Sequence, residues 1–374
     1  MDLKNIKKPD LKKMDKKLLA RLFLALAIIV IIVIVMIVIK IIIGNRVEYS
    51  TIETKMINAA KDYYTNDENG SNEFKAISNG EISVSVDTLV NGGYLDSLDK
   101  IAPDKEATCK GKVTVKMNNG YTLYTPFLDC GSSYKTKYLN EVITASVVES
   151  GNGLYKIDND YVFRGENLNN YVSFADKTWF ILRVRENGNI RLIELTKREK
   201  LPWDDRYNLD VQSKNGINDF KVSRIKDSLT SLYENSEEFS DTNKGYIVPT
   251  NLCIGKRSED DTDNSGNIEC KEVVENWPLG LIQINEFLIA SLDKNCNKLT
   301  DNSCENYNYL STLQGIYWSI TANSAKSDKV YKFNSTPFSS STISDGGIRA
   351  VIELDPNTVY VSGDGTSDNP YIIK

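Results

Sequence analysis

Between Asp260 and Glu272 the chain reads DDTDNSGNIECKE, and its spacing is that of a calcium loop. Counted from Asp261, side-chain oxygens fall at loop positions 1, 3, 5 and 12, supplied by Asp261, Asp263, Ser265 and Glu272, with Gly266 at the sharp turn of position 6. Hard oxygen ligands at those intervals can wrap Ca²⁺, which extracellular modules hold as weakly as about 10⁻⁴ to 10⁻³ M. The flanks are not those of an EF-hand: GYIVPTNLCIGKRSE before the loop has no helical pattern, and VVENWPLG after it is short. A solvated acidic loop is the default reading and calcium the alternative; no other cofactor is suggested.

A second cluster lies in LPWDDRYN, where Trp203, Asp204, Asp205 and Arg206 adjoin. An aromatic beside a guanidinium suits sugar or peptide recognition. The two carboxylates point to opposite faces of an extended segment, so they cannot share one substrate atom as an acid/base pair. The competing reading is an ion pair that supports a loop. Trp179 and Trp318 are expected in the core, and Trp203 and Trp277 at exposed contacts. The chain contains no histidine, which removes the commonest general base and the Ser-His and Cys-His nucleophile pairs. Binding without catalysis is therefore expected.

The elements that must position these residues begin with LFLALAIIVIIVIVMIVI at 22–39, extended by KIII to Ile43. At about 1.5 Å per residue this spans an apolar layer of about 30 Å, which predicts a single transmembrane helix at 22–43 that is not cleaved. Residues 1–21 carry eight Lys/Arg against three Asp, a net of +5, and place the N-terminus inside and the rest outside the cell. The total of −6 leaves −11 beyond residue 21, which argues against a nucleic-acid partner. Ser50 with Glu53 is a capping box opening an amphipathic stalk helix over 44–66.

In CKGKVTVKMNNGYTLYTPFLDC two alternating runs flank Asn119-Gly120, a hairpin signature that makes Cys109 and Cys130 cross-strand neighbours. Six cysteines allow fifteen pairings, but each remaining pair flanks one loop, so Cys253 is expected to join Cys270 and Cys296 to join Cys304 in a compartment where disulfides persist. Beyond residue 150, TWFILRVRENGNIRLIEL predicts a strand, a turn at 186–189 and a return strand. NDFKVSRIKDSLTSLYEN predicts an amphipathic helix, and IQINEFLIASLD a shorter one.

The basic tail, apolar helix, TIETKMINAAKDYY and VDTLVNGGYL together resemble type IV pilin-like and pseudopilin-like proteins over residues 20–130. The family's processing signal, Gly before Phe or Met with Glu five residues in, is absent from KKLLARLFLALAIIV. A filament subunit and a plain stalk beneath a head both stay open. From 155 to 374, TWFILRVRENGNIRLI, GIYWSITAN, VYKF and GGIRAVIEL resemble uncharacterised C-type-lectin-like domains of bacterial surface proteins, which implies a fold and no activity. The calcium-reading tripeptides of sugar-binding lectins are missing, and LDPN at 354–357 is a turn.

The resulting expectation is an α+β protein. It has a basic tail (1–21), a transmembrane helix (22–43), a stalk (44–66), a small pilin-like α/β domain (67–149) and a C-type-lectin-like extracellular domain (150–374). It would sit on a bacterial cell membrane and bind a glycan, cell-wall polymer or protein. The alternatives are a pilin-like subunit of a filament or secretion apparatus and a surface hydrolase.

Overall fold

The computed structural model describes residues 16–77, 80–104 and 108–374, and within its first helix not the side chains of 16–20, 22, 37–45 and 47. That helix, α1, runs without a break over Lys16–Asn66, about 77 Å at 1.5 Å per residue. The expected division into a membrane span and a separately capped stalk is therefore corrected. No helix starts at Ser50, and Glu53 is buried beneath Tyr134, Thr136 and Lys374 instead of turning back to cap.

The transmembrane helix expected at 22–43 is also corrected: among the described residues no helix is long and apolar enough to cross a membrane. Residues 23–36 are all apolar and all exposed. Positions 22 and 37–43 of the expected span lie outside the described side chains, as does the tail at 1–15.

The second half of α1 buries Tyr49, Ile52, Met56, Ala59, Ala60, Tyr63 and Tyr64, a stripe at helical spacing. The stripe packs on a small platform made of α2 (Glu68–Ala76), β1 (Glu81–Ser85), α3 (Val86–Asn91), α4 (Leu98–Ile101), β2 (Lys110–Asn118) and β3 (Tyr121–Asp129). The sheet is antiparallel in the order β1-β2-β3. Asn118 pairs with Tyr121 around Asn119 (φ 49°) and Gly120 (φ 83°), the left-handed pair that a two-residue hairpin requires. Cys109 and Cys130 are bonded, as expected from that hairpin.

The platform core closes at Tyr134, and the head core opens with Leu139 and Ile143 of α5 (Leu139–Thr144). One head sheet contains β4 (Gly153–Ile157), β5 (Asp160–Arg164), β6 (Tyr171–Phe174), β7 (Lys177–Val184) and β8 (Ile190–Glu194). After β9 (Lys200–Pro202), α6 (Arg224–Asn235) and α7 (Asp241–Tyr246), β10 (Thr250–Cys253) pairs with β11 (Val273–Trp277), and α8 (Ile284–Ala290) follows. The chain ends with β12 (Tyr317–Ala322), β13 (Lys329–Asn334), β14 (Thr336–Ser341), β15 (Asp345–Gly347), β16 (Val351–Leu354), β17 (Tyr360–Ser362) and β18 (Tyr371–Ile373).

The first sheet is completed as β16-β8-β7-β6-β18-β17, with β5 also on β7, and the second runs β14-β13-β12-β15-β9. Trp179, Phe180, Phe287, Tyr317, Trp318 and Phe333 are buried in the head core, each contributing roughly 1.5–3 kcal/mol. Polar contacts tie rod and platform to the head. Arg46 donates to the Tyr360 and Val361 carbonyls at 2.8 and 3.0 Å, Lys116 meets the buried Asp355 at 2.6 Å, and Lys374 meets Glu53 at 3.2 Å.

Candidate functional site

Trp203 is not at an exposed contact: it is fully buried against Phe220. Asp204, equally buried, accepts hydrogen bonds from Arg206 Nε (2.9 Å), Ile217 N (2.8 Å) and Arg224 N (3.1 Å). Asp205 forms an exposed pair with Arg224 at 3.1 Å. These bonds close the loop after β9 onto the start of α6, as a loop staple would, with Trp203 and Asp204 buried and only Asp205 and Arg206 reaching the surface. Trp277 is half-buried beneath the Lys226 ammonium.

The acidic loop does not gather its side-chain oxygens on one point as a calcium loop would. A protein cation already serves it: Arg257 donates to the Asp261 and Asp263 carbonyls (3.2 and 2.8 Å), to Asn264 Oδ1 (2.8 Å) and to Glu269 Oε1 (2.9 Å). Arg257 and Glu269 are both fully buried. The carboxylates expected to converge on a metal are used separately. Asp261 accepts from Ser258 N, Asp263 from Ser265 N and Oγ, and Glu272 pairs outward with Lys221 at 2.7 Å. Among the described residues no group of three or more His, Cys, Asp or Glu could hold a metal ion. Gly266, at φ 94°, does make the sharp turn its position predicts. The loop is pinned by the Cys253–Cys270 disulfide, and Cys296 is bonded to Cys304.

What the fold brings together is an arginine cluster in the β7-β8 hairpin. Arg183 stands near the end of β7 and Arg185 just beyond it, and both reach Asp160, at 3.4 and 3.3 Å. Register then sets Arg191 of β8 opposite Arg183, and Glu353 of β16 opposite Arg191. Glu286 of α8 grips Arg191 through two bonds of 2.5 and 3.2 Å. Glu353 Oε1 accepts from Arg185 Nη2 at 3.0 Å and from Arg191 Nη1 at 3.4 Å. Arg183 is served poorly, reaching Asp160 at 3.4 Å and Glu286 at only 3.8 Å, and its Nε, although buried, has no partner. Burial pushes the Arg183 pKa down. Glu286 also loses solvent, but Arg191 and Arg183 outweigh that loss and hold its carboxyl at about 2.

Arg183, Arg185 and Arg191 line a cavity of about 110 Å³ together with Asn251, Gln283 and Asn285. The Asn285 side-chain oxygen is buried there without a partner. In front of it opens a wider recess of about 480 Å³, bounded by Asp160, Glu186, Asn187, Thr250 and Glu353. Arg185, Asn251 and Cys253 line both spaces, so the recess and the cavity adjoin. The usable signal in the sequence was three arginines within one predicted hairpin of otherwise apolar strands.

A lysine–serine pair stands elsewhere in the head, Lys332 Nζ to Ser344 Oγ at 2.7 Å. Lys332 lies over the Trp318 ring, and burial lowers its pKa to about 8. However, its ammonium donates to Ser344 Oγ and the Asp345 carbonyl, and the Ser344 hydroxyl donates to the Ser341 carbonyl at 2.6 Å. The serine proton is aimed at the backbone and not at the amine. No family model, no curated protein and no solved structure matches the chain.

Proposed function

We propose that this chain is a recognition protein of the bacterial cell surface, and that its head binds a ligand through the arginine-lined recess without transforming it. The observation that carries this reading is how the recess is built. Its donors and acceptors stand on and beside paired strands, next to a disulfide, with a smaller arginine-lined cavity adjoining them. A few convergent polar groups held rigidly around a recess are what a ligand site needs. The three disulfides support an oxidising, extracytoplasmic setting. The resemblance to C-type-lectin-like surface domains supports a scaffold that presents loops. The Ser344–Lys332 geometry supports binding over hydrolysis.

The test is to probe glycan, cell-wall and peptide arrays with the full chain and with an Arg185→Ala variant, and to treat the chain with a fluorophosphonate. Binding that weakens in the variant, with no label on Ser344, is expected. Labelled Ser344 or a cleaved array ligand would make the protein a hydrolase.

A second reading, an assembling pilin-like subunit, is favoured by α1, whose residues 23–36 offer water an apolar surface on every side while its other half is packed on a sheet. Copies of the rod packing side by side would cover that surface. Cysteines introduced between 23 and 36 that crosslink neighbouring copies in cells would establish it.

A further inference from the structure

We infer that copies of this chain join head to platform: the acidic loop at 259–263 of one head docks on a lysine-lined face of the β1-β2-β3 sheet of the next copy. The inference goes beyond the reading of the recess and does not depend on it.

The lysine face follows from register. Directly opposed residues of paired strands share a face, and a strand returns to the same face every second residue. Val113 and Val115 of β2 are buried in the core that the sheet shares with α1, so Lys110, Lys112 and Thr114 stand on the other face. Lys110 is opposed by Asp129, which is bridged in turn to Lys135, and Lys112 is flanked by Ser85 and Phe127. The Lys135 ammonium lies over the Phe127 ring at 5.8 Å. Lys110 and Lys135 are exposed and Lys112 is half-buried. None of the three has an ion-pair partner among the described residues. Asp129 is the one carboxylate in these two rows, and it accepts from Gly131 N at 3.0 Å. A basic patch thus stands on a chain whose residues beyond 21 carry a net −11.

The acidic loop is its complement. Glu259, Asp260, Asp261 and Asp263 place four carboxylates within five residues. Buried Arg257 holds the Asp261 and Asp263 carbonyls, and the Cys253–Cys270 disulfide pins the segment. The loop is therefore fixed with Glu259, Asp260 and Asp263 exposed, and Lys298, at 2.8 Å from Asp260, is its one surface ion pair among the described residues. A preformed loop loses little freedom on contact. Strand spacing sets Lys110 and Lys112 about 7 Å apart and Lys135 about 10 Å across the sheet from β2, within the span of five residues. Loop and lysine face are different surfaces, so the contact is heterologous and repeats from copy to copy instead of closing as a two-fold dimer. Exposed ion pairs are individually weak and screened by salt, which makes the association salt-sensitive.

The full chain, unlabelled and labelled with heavy nitrogen in equal parts, is treated in mild detergent covering residues 23–36 with a carbodiimide, which joins a carboxylate to an amine it touches. Mixed-isotope links between peptides carrying Lys110, Lys112 or Lys135 and the peptide carrying Glu259 to Asp263 are expected, and they should fade in molar salt, where the Debye length is about 3 Å. Sedimentation velocity then compares two triple variants, Lys110→Glu/Lys112→Glu/Lys135→Glu and Glu259→Lys/Asp260→Lys/Asp263→Lys. Each alone should associate at least about tenfold more weakly than the wild type, because like charges then face each other, and an equal mixture of the two should associate again. Recovery in the mixture also shows that both variants fold. Links confined to one isotope, association that both variants keep, or a mixture that stays apart would overturn the inference. So would a wild type without mixed-isotope links whose lysine variant loses binding to an anionic cell-wall polymer, an outcome that gives the face to that polymer. Array binding that depends on Arg185 should persist in both variants, so the proposed function is read separately.

Discussion

Two buried carboxylates show how environment sets the behaviour of a residue type. Glu269 has one guanidinium, Arg257, and an oxygen without a partner, so burial wins and its pKa is raised. Glu286 has Arg191 and Arg183 around it and accepts from Gln283 N, and it is held at about 2. A carboxyl depressed in the folded state stabilises the fold above its unfolded pKa of about 4.3, and that contribution is lost as pH falls toward about 2. Urea midpoints should therefore drop between about pH 4.3 and pH 2 in the wild type, and drop less in Glu286→Gln. Arg257→Met strands Glu269 as a lone buried charge, and a cost of about 3–5 kcal/mol is expected by urea unfolding. Millimolar calcium should leave the wild-type melting temperature unchanged, since the guanidinium already holds the loop carbonyls.

The β2-β3 hairpin is the element with the plainest local cause. Gly120 sits at φ 83°, and a Cβ built there would meet nothing within 4 Å. Gly120→Ala thus tests backbone strain alone, and a loss of about 1 kcal/mol is expected from chemical denaturation. A neutral result would mean that the turn relaxes to another type. In α1 the apolar run and the amphipathic run are each helical by pattern, and no proline lies between them. The helix accordingly continues where a cap had been expected, and Glu53 is freed to accept from Tyr134 and Thr136.

Across the whole molecule, rod, platform and head are joined by long-range charges: Arg46 on the Tyr360 and Val361 carbonyls, Lys116 on Asp355, and Lys374 on Glu53. Asp355 and Glu53 are both buried, so each needs its cation. The wild-type platform and head are expected to melt in one transition. In the double variant Lys116→Met/Lys374→Met, calorimetry should resolve two; a single transition would show that apolar contact alone couples the units.

Local order, then, was written in the sequence. The Asn119-Gly120 turn, the three disulfides, the β7-β8 hairpin and the helix ending at Asn235 each depend on neighbours a few residues away, and short-range patterns report them. The candidate site was not. Arg183 and Arg191 meet because of strand register, Glu353 and Glu286 join them from 162 and 95 residues beyond Arg191, and Cys253–Cys270 walls the space. The two clusters that composition favoured are shaped at shorter range, by which side chains turn inward within one loop. Residue type alone does not say that Arg257, four and six residues before the Asp261 and Asp263 carbonyls it holds, turns inward, nor that Trp203 packs on Phe220 in the core. Patterns of residue type specify which groups are available. Only packing decides which of them end with a bond to spare, because that depends on every other group competing for the same buried space.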